Sequence, residues 1–173
     1  GGTVGDIESL PFLEAIRQMR SELGRERVVF VHVTLVPFLD AVGELKTKTT
    51  QHSVQELRRI GIEPDVLVLR SDRELTSGIK EKIALYGGIP GGAVISAVDA
   101  PDIYMVPLEM EREGLDRVVC GLLNLNPPAP DLGDWRDFVG HIEQCSGTVR
   151  IALVGKYVQL HDAYLSVSEA LRH

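Results

Sequence analysis

The sequence predicts an α/β fold with a mainly parallel sheet, on three observations. Apolar runs suited to buried strands recur at 28–36, 65–70 and 93–98, and segments of helical spacing separate them. A 44% hydrophobic content over 173 residues is enough for one core of ordinary size. The charge is acidic, −7 with a sequence pI near 5.2, which argues against the broad basic face that nucleic-acid binding needs. No apolar run approaches the ~18–20 residues of a membrane-spanning helix, and no basic region followed by an apolar one opens the chain. The expectation is a cytoplasmic protein with neither nucleic acid nor membrane as partner. Cys120 and Cys145 are too few and too isolated for a disulfide framework or a metal knuckle.

Taken in order, Gly1, Gly2 and Gly5 form a glycine-rich start that leads through Asp6-Ile7-Glu8 into a helix. Ser9 is placed to cap that helix and Gly24 to end it, and Phe12, Ile16, Met19 and Leu23 make its one apolar face. Val28–Val36 is a near-continuous apolar run closed by Pro37, as in a central parallel strand covered on both faces. His32 within it has no His, Cys or Asp at a useful spacing and reads as a hydrogen-bonded core residue. Ser53-Val54-Gln55-Glu56 has the form of a capping box, predicting a helix from Ser53 to Gly61 with Val54, Leu57 and Ile60 inward.

Between that run and that helix lies Lys46-Thr47-Lys48-Thr49-Thr50-Gln51. From Lys46 to Arg59 there are four cationic side chains (Lys46, Lys48, Arg58, Arg59) against one acid (Glu56). Lysines offer point charges and threonines offer donors to polyphosphate oxygens, and a helix N-terminus adds unpaired amides and a positive dipole end. A solvated, basic helix start is the plainer alternative.

Asp65–Arg70 reads as a second buried strand, Ile79–Tyr86 as a helix stopped by Gly87-Gly88, and Ala93–Val98 as a third strand. Residues 99–117 have the look of a solvated helix and its flanks. Asn124–Leu132, rich in proline, cannot hold a helix or a ladder and is placed as an interdomain linker. Trp135, Phe138 and Ile142 then follow helical spacing, and Val149–Tyr157 reads as a strand running into a turn. It is not a Walker A loop, since the first glycine and the hydroxyl after Lys156 are missing. The chain opens on Gly1-Gly2 with no element before it and stops within Ser168–His173 in what reads as a helix, which suggests a piece of a longer protein.

GGTVGDIES at 1–9, GELKTKTTQHSVQELRRIGIEPD at 43–65 and VGKYVQLHDAY at 154–164 resemble, in that order, segments of the CTP synthases, the glutamine-dependent ligases of pyrimidine biosynthesis that aminate UTP. The resemblance extends over nearly the whole chain. One departure is Thr49, where the family usually has proline, a change that loosens the backbone and adds an amide donor. The resemblance implies a central fragment of a protein about three times longer. Residues 1–123 would be the C-terminal half of the synthetase domain, 124–147 the linker, and 148–173 the start of the glutamine amidotransferase domain. It sharpens the fold to a P-loop NTPase-like, dethiobiotin-synthetase-like part-domain followed by the first strand-helix unit of a class I amidotransferase.

The same resemblance implies contacts with substrate UTP and inhibitor CTP at Asp6, Ile7, Glu8, Lys46, Thr47, Lys48, Thr49, Thr50, Gln51, Lys82 and Tyr86, and a weaker match near ATP at Val98, Asp99 and Ala100. Glu8 would accept a hydrogen bond from the CTP amine. Read without it, Asp6 and Glu8 are acids near a helix N-terminus, Lys82 is a surface lysine and Tyr86 a core ring. The glutaminase cysteine, histidine and glutamate would lie beyond residue 173, and the ligands of the Mg2+ that accompanies ATP upstream of Gly1. Glutamine as amide donor, GTP as allosteric effector and a homotetramer are further implications, as is inactivity of this fragment by itself. The rival expectations are a noncatalytic nucleotide-binding or assembly module from a divergent paralogue, and a related ATP-dependent ligase acting on a carboxylate.

Overall fold

A computed structural model describes residues 3–40 and 43–173, so Gly1 and Gly2 of the expected glycine-rich start lie outside the described residues. The chain runs α1 (Leu10–Leu23), β1 (Val31–Leu35), two short strands β2 (Phe38–Leu39) and β3 (Glu44–Leu45), α2 (Lys48–Arg59), β4 (Val66–Ser71) and α3 (Ser77–Gly87). It continues with β5 (Val94–Val98), α4 (Val106–Glu113), α5 (Leu115–Leu122), α6 (Gly133–Gln144) and α7 (Leu165–Arg172). Two compact units divide this chain, one up to Val139 and one from Gly140 to His173.

In the first unit β1, β4 and β5 form a parallel sheet in that order, with Val33 beside Val68 and Val68 beside Ile95. The α/β class with a mainly parallel sheet is thus observed. β4 is the central strand: Val66, Leu67, Val68 and Leu69 are all buried, which requires cover on both faces. Leu67 and Leu69 join Val54 of α2 and Ile83 of α3 in one cluster, to which Met110 of α4 and Val118 and Val119 of α5 add partly buried side chains. The expectation that 28–36 is covered on both faces is corrected. β1 is an edge among the described strands, and Val31, Val33 and Leu35 remain 42, 56 and 53% exposed while Thr34 and Val36 are buried. An apolar run alone cannot tell a covered face from one whose cover is not beside it.

α1 is tied to this sheet by charge rather than by its apolar stripe. The Arg20 guanidinium donates to both carboxylate oxygens of Asp65 (2.7 and 2.8 Å) and lies 4.4 Å from the centre of the Phe30 ring, whose residue's N–H donates to the same Asp65. Phe12, Ile16, Met19 and Leu23, the expected apolar face, are exposed. Ser9 stands at the N-cap position of α1, but its hydroxyl donates to the Asp6 carbonyl (2.7 Å), so the capping bond expected of it is absent.

α2 begins five residues earlier than the capping-box pattern suggests. Lys48 is its first residue and Thr47 its N-cap, while Ser53 lies inside the helix, its hydroxyl 2.8 Å from His32 Nε2. The Ser-x-x-Glu spacing is a property of any turn of helix, and here Ser53 is occupied by the core histidine instead of an amide. The β2–β3 hairpin, two residues per strand, has no periodicity for a sequence to show. α3 ends where Gly88 takes the left-handed conformation (φ +57°), as the Gly-Gly pair predicts. Residues 99–117 carry parts of two helices rather than one, because Gly114 (φ +84°) breaks the run. No helix or strand occupies 124–132.

At the end of the first unit Trp135 and Phe138 pack with Tyr104, and the Trp135 indole donates to the Tyr104 carbonyl (2.8 Å). The second unit contains α7 and the Tyr164 hydroxyl donating to the Lys156 carbonyl (2.8 Å). The strand expected over 149–157 is not formed: Val149 and Val154 are 83 and 93% exposed, and Tyr157 has φ +60°. A strand needs a ladder partner, and among the described residues none pairs with this one. The expected first strand-helix unit of an amidotransferase is therefore absent as a strand.

Candidate functional site

In open parallel sheets the carboxyl ends of the strands, with the helix N-termini that follow them, form the natural binding edge. Here that edge is made by the β2–β3 hairpin after β1, the first turn of α2, the turns after β4 and β5, and the N-terminal half of α3. The hairpin is held firmly. Gly43 N–H donates to the Leu39 carbonyl (2.9 Å), Lys46 N–H to the Pro37 carbonyl (2.9 Å), and the Arg73 guanidinium lies 3.3 Å from the centre of the Phe38 ring. Lys46 therefore leaves the hairpin with a fixed backbone, one residue before the α2 N-cap.

Lys46 Nζ donates to Glu44 Oε2 at 2.5 Å. The Glu44 carboxyl is held below the usual carboxylate range by that hydrogen bond first and by the Lys46 charge, with Lys82 adding a longer-range pull. Lys46 of the hairpin thus already holds a carboxylate. Sequence reasoning gave Glu44 no role. The signal available was an acid two residues before the first lysine of the cluster.

The first turn of α2 contains Lys48, Thr49, Thr50 and Gln51, so the expected loop is mostly helix. Its first i→i−4 bond runs from Gln51 N–H to the Thr47 carbonyl (3.1 Å), which leaves the preceding amides at the helix's leading end. Thr49 occupies the second helical position, where proline is tolerated because its missing amide would have no helical partner, so the departure changes the donor set more than the backbone. Lys48 and Thr49 are exposed and Gln51 half-buried, its amide donating to the Thr47 hydroxyl (3.2 Å). Thr50 is different. It is 1% exposed, with its hydroxyl 3.0 Å from Thr34 Oγ1 and donating to the Leu35 carbonyl (3.3 Å), so its place as a ligand donor is corrected to a core link between α2 and β1.

Lys82 is exposed and Tyr86 half-buried on α3, and Val98 ends β5 with Asp99 and Ala100 following it at the same edge of the sheet. Asp99 is engaged, accepting from Arg70 (3.0 Å). Asp6, Ile7 and Glu8 form a separate group. They sit in a short 3-10 turn before α1, where Asp6 Oδ2 accepts from the Thr3 N–H (3.1 Å), and a cavity of about 640 Å3 is lined by Asp6, Glu8, Phe12 and Ile16 among others. No hydrogen bond or ion pair among the described residues joins this group to the α2 edge. Among the described residues no three His, Cys, Asp or Glu side chains are grouped as a metal site of that kind would have them. No described helix is long and apolar enough to cross a membrane.

Residues 1–125 match the family profile described as CTP synthase N-terminus. The chain belongs to the CTP synthase family. It is 60% identical to a CTP synthase of Gloeothece citriformis, 61% to one of Synechococcus sp. and 57% to one of Ruminiclostridium cellulolyticum, in each case over all 173 residues. The chain spans only 31–32% of the length of these CTP synthases. The expectation of a central fragment is corrected by the profile, which assigns residues 1–125 to the N-terminal part of a CTP synthase.

Proposed function

We propose that this chain supplies the phosphate-binding part of a CTP synthase that aminates UTP to CTP, using ATP and ammonia released from glutamine. The observation that carries the reading is the junction at the binding edge, where Lys46, already paired with a carboxylate, and the exposed Lys48 stand at the leading end of α2. Two cations and a set of helix-end amides suit the oxygens of a triphosphate. In the proposed reaction ATP transfers its γ-phosphoryl group to the uracil 4-oxygen of UTP, ammonia attacks that carbon, and inorganic phosphate leaves far more readily than hydroxide would. Lys46, Lys48 and Lys82 neutralise charge, the Lys48 and Thr49 amides and the Thr47 and Gln51 side chains orient phosphate, and Tyr86 borders the pyrimidine. Val98, Asp99 and Ala100 lie toward the adenine of ATP, whose Mg2+ is held by residues outside this chain.

Asp6, Ile7 and Glu8 read the pyrimidine ring, Glu8 accepting from the amine of the inhibitor CTP. Their separation from the α2 edge is what a site completed between copies would produce, in keeping with a homotetramer. GTP acts as effector elsewhere in the assembly. Residues 1–123 belong to the synthetase domain, 124–147 to the linker and 148–173 to the start of the glutamine amidotransferase domain, in a cytoplasmic enzyme of which this piece alone is inactive.

The test is conversion of UTP to CTP by the full-length protein carrying this sequence, with ATP and either glutamine or ammonia, beside Lys46→Ala. Conversion by the parent and a loss of at least about tenfold in kcat/KM in the variant are expected, the scale of one charge-assisted contact. A folded parent that converts nothing even with ammonia overturns the enzyme reading.

A further inference from the structure

The carboxylate of Glu44 takes the place on Lys46 Nζ that a phosphate oxygen would take, and it does so from a rigid mount. Glu44 pairs with Leu39 across the hairpin, the amide of Gly43 before it is bonded to Leu39, and the amide of Lys46 after it is bonded to Pro37. Leu45 between them packs against the core cluster. The backbone on both sides is thus fixed, while the Glu44 side chain is 66% exposed and rotatable. It can leave the lysine without disturbing the hairpin.

We propose that Glu44 is the counter-ion of the anion site, a side chain that screens Lys46 from weak anions and that nucleotide phosphate must displace. The inference rests on the phosphate-site reading above. A carboxylate carries one charge and reaches from one side. A triphosphate carries several and meets Lys46 together with Lys48 and the leading end of α2, so it displaces Glu44 where a lone small anion does not. Glu44 sets how much charge a ligand must bring, which makes it a specificity-determining residue rather than a catalytic one. The opposite role, in which Glu44 positions Lys46 for the ligand, predicts the opposite sign on substitution.

The experiment is calorimetric titration of UTP, without ATP or an ammonia source, into the full-length protein and its Glu44→Gln, Lys46→Ala and doubly substituted forms. Inorganic phosphate serves as a second titrant, and a thermal melt checks each form. Glutamine keeps the shape and removes the charge. The expected result is UTP binding about two- to fivefold tighter in Glu44→Gln, the scale of one exposed ion pair. Measurable phosphate binding should appear where the unsubstituted protein shows less, and the UTP gain should shrink in the double variant because part of it runs through Lys46. If Lys46→Ala binds UTP as tightly as the parent, the phosphate-site reading falls and this inference with it. If Lys46→Ala weakens UTP but Glu44→Gln weakens it too or leaves it unchanged, the site stands and the counter-ion role is overturned. Should Glu44→Gln fail to fold, Glu44→Ser is titrated in its place against the same criteria.

Discussion

At the residue scale, Glu113 shows how one side chain ties three elements. Its carboxylate accepts from Lys80 of α3 (2.7 Å) and from the Ser96 amide of β5 (2.9 Å) while belonging to α4. Burial pushes this carboxyl up, but the Lys80 and Ser96 hydrogen bonds with the charges of Lys80 and Arg112 outweigh it and hold the group below its ordinary value. Glu113→Ala leaves the Ser96 amide and Lys80 without their acceptor, and a loss of about 2 kcal/mol in urea unfolding is expected. His32 gives the pH dependence. Burial of this half-buried ring lowers its pKa beneath the ordinary 6.5, so the folded state favours the neutral form. Its contribution is fully present above the unfolded pKa and is lost as pH falls below it. Unfolding midpoints from pH 7.5 to 5.5 should drop for the parent and flatten in His32→Asn. The core role of His32 was legible from its isolation among apolar neighbours. The role of Glu44 was not, because an acid beside lysines reads as surface unless its backbone is known to be fixed.

At the element scale, legibility followed local signals. Val66–Ser71 and Ala93–Val98 could be read because each is a short apolar run bounded by turn residues, and the stop at Gly88 because φ +57° favours glycine over residues with a Cβ. Gly88→Ala is expected to cost about 1 kcal/mol in urea unfolding, since the strain at that φ adds to a Cβ placed 3.1 Å from Arg58 Nη2. The α2 start was misplaced because Ser53 satisfies a helix-start pattern while serving His32, and Val149–Tyr157 because strand formation depends on a partner that the run itself cannot specify. The stripe of α1 is apolar, as its spacing predicts, but it is exposed in the described chain. Phe12, at 72% exposure, packs on little, so Phe12→Ser should shift the unfolding free energy of this chain by less than about 0.5 kcal/mol, whereas Leu67→Ala should cost about 3.

At the scale of the whole molecule, a basic edge on a chain of net charge −7 sets the ionic-strength response: small polyanions are drawn to one place and repelled elsewhere. α2 and α3 are latched to each other at one end. Both helices point their N-terminal turns at that edge, and at their far ends Arg58 of α2 donates to the Gly87 carbonyl (2.6 Å) and the Tyr86 carbonyl (3.4 Å) of α3. They behave as the two arms of a caliper clamped at the pivot. The clamp lies about three turns of helix from Lys48 on one arm but little more than one turn from Lys82 on the other, so the gap between the arms is gauged from their far end.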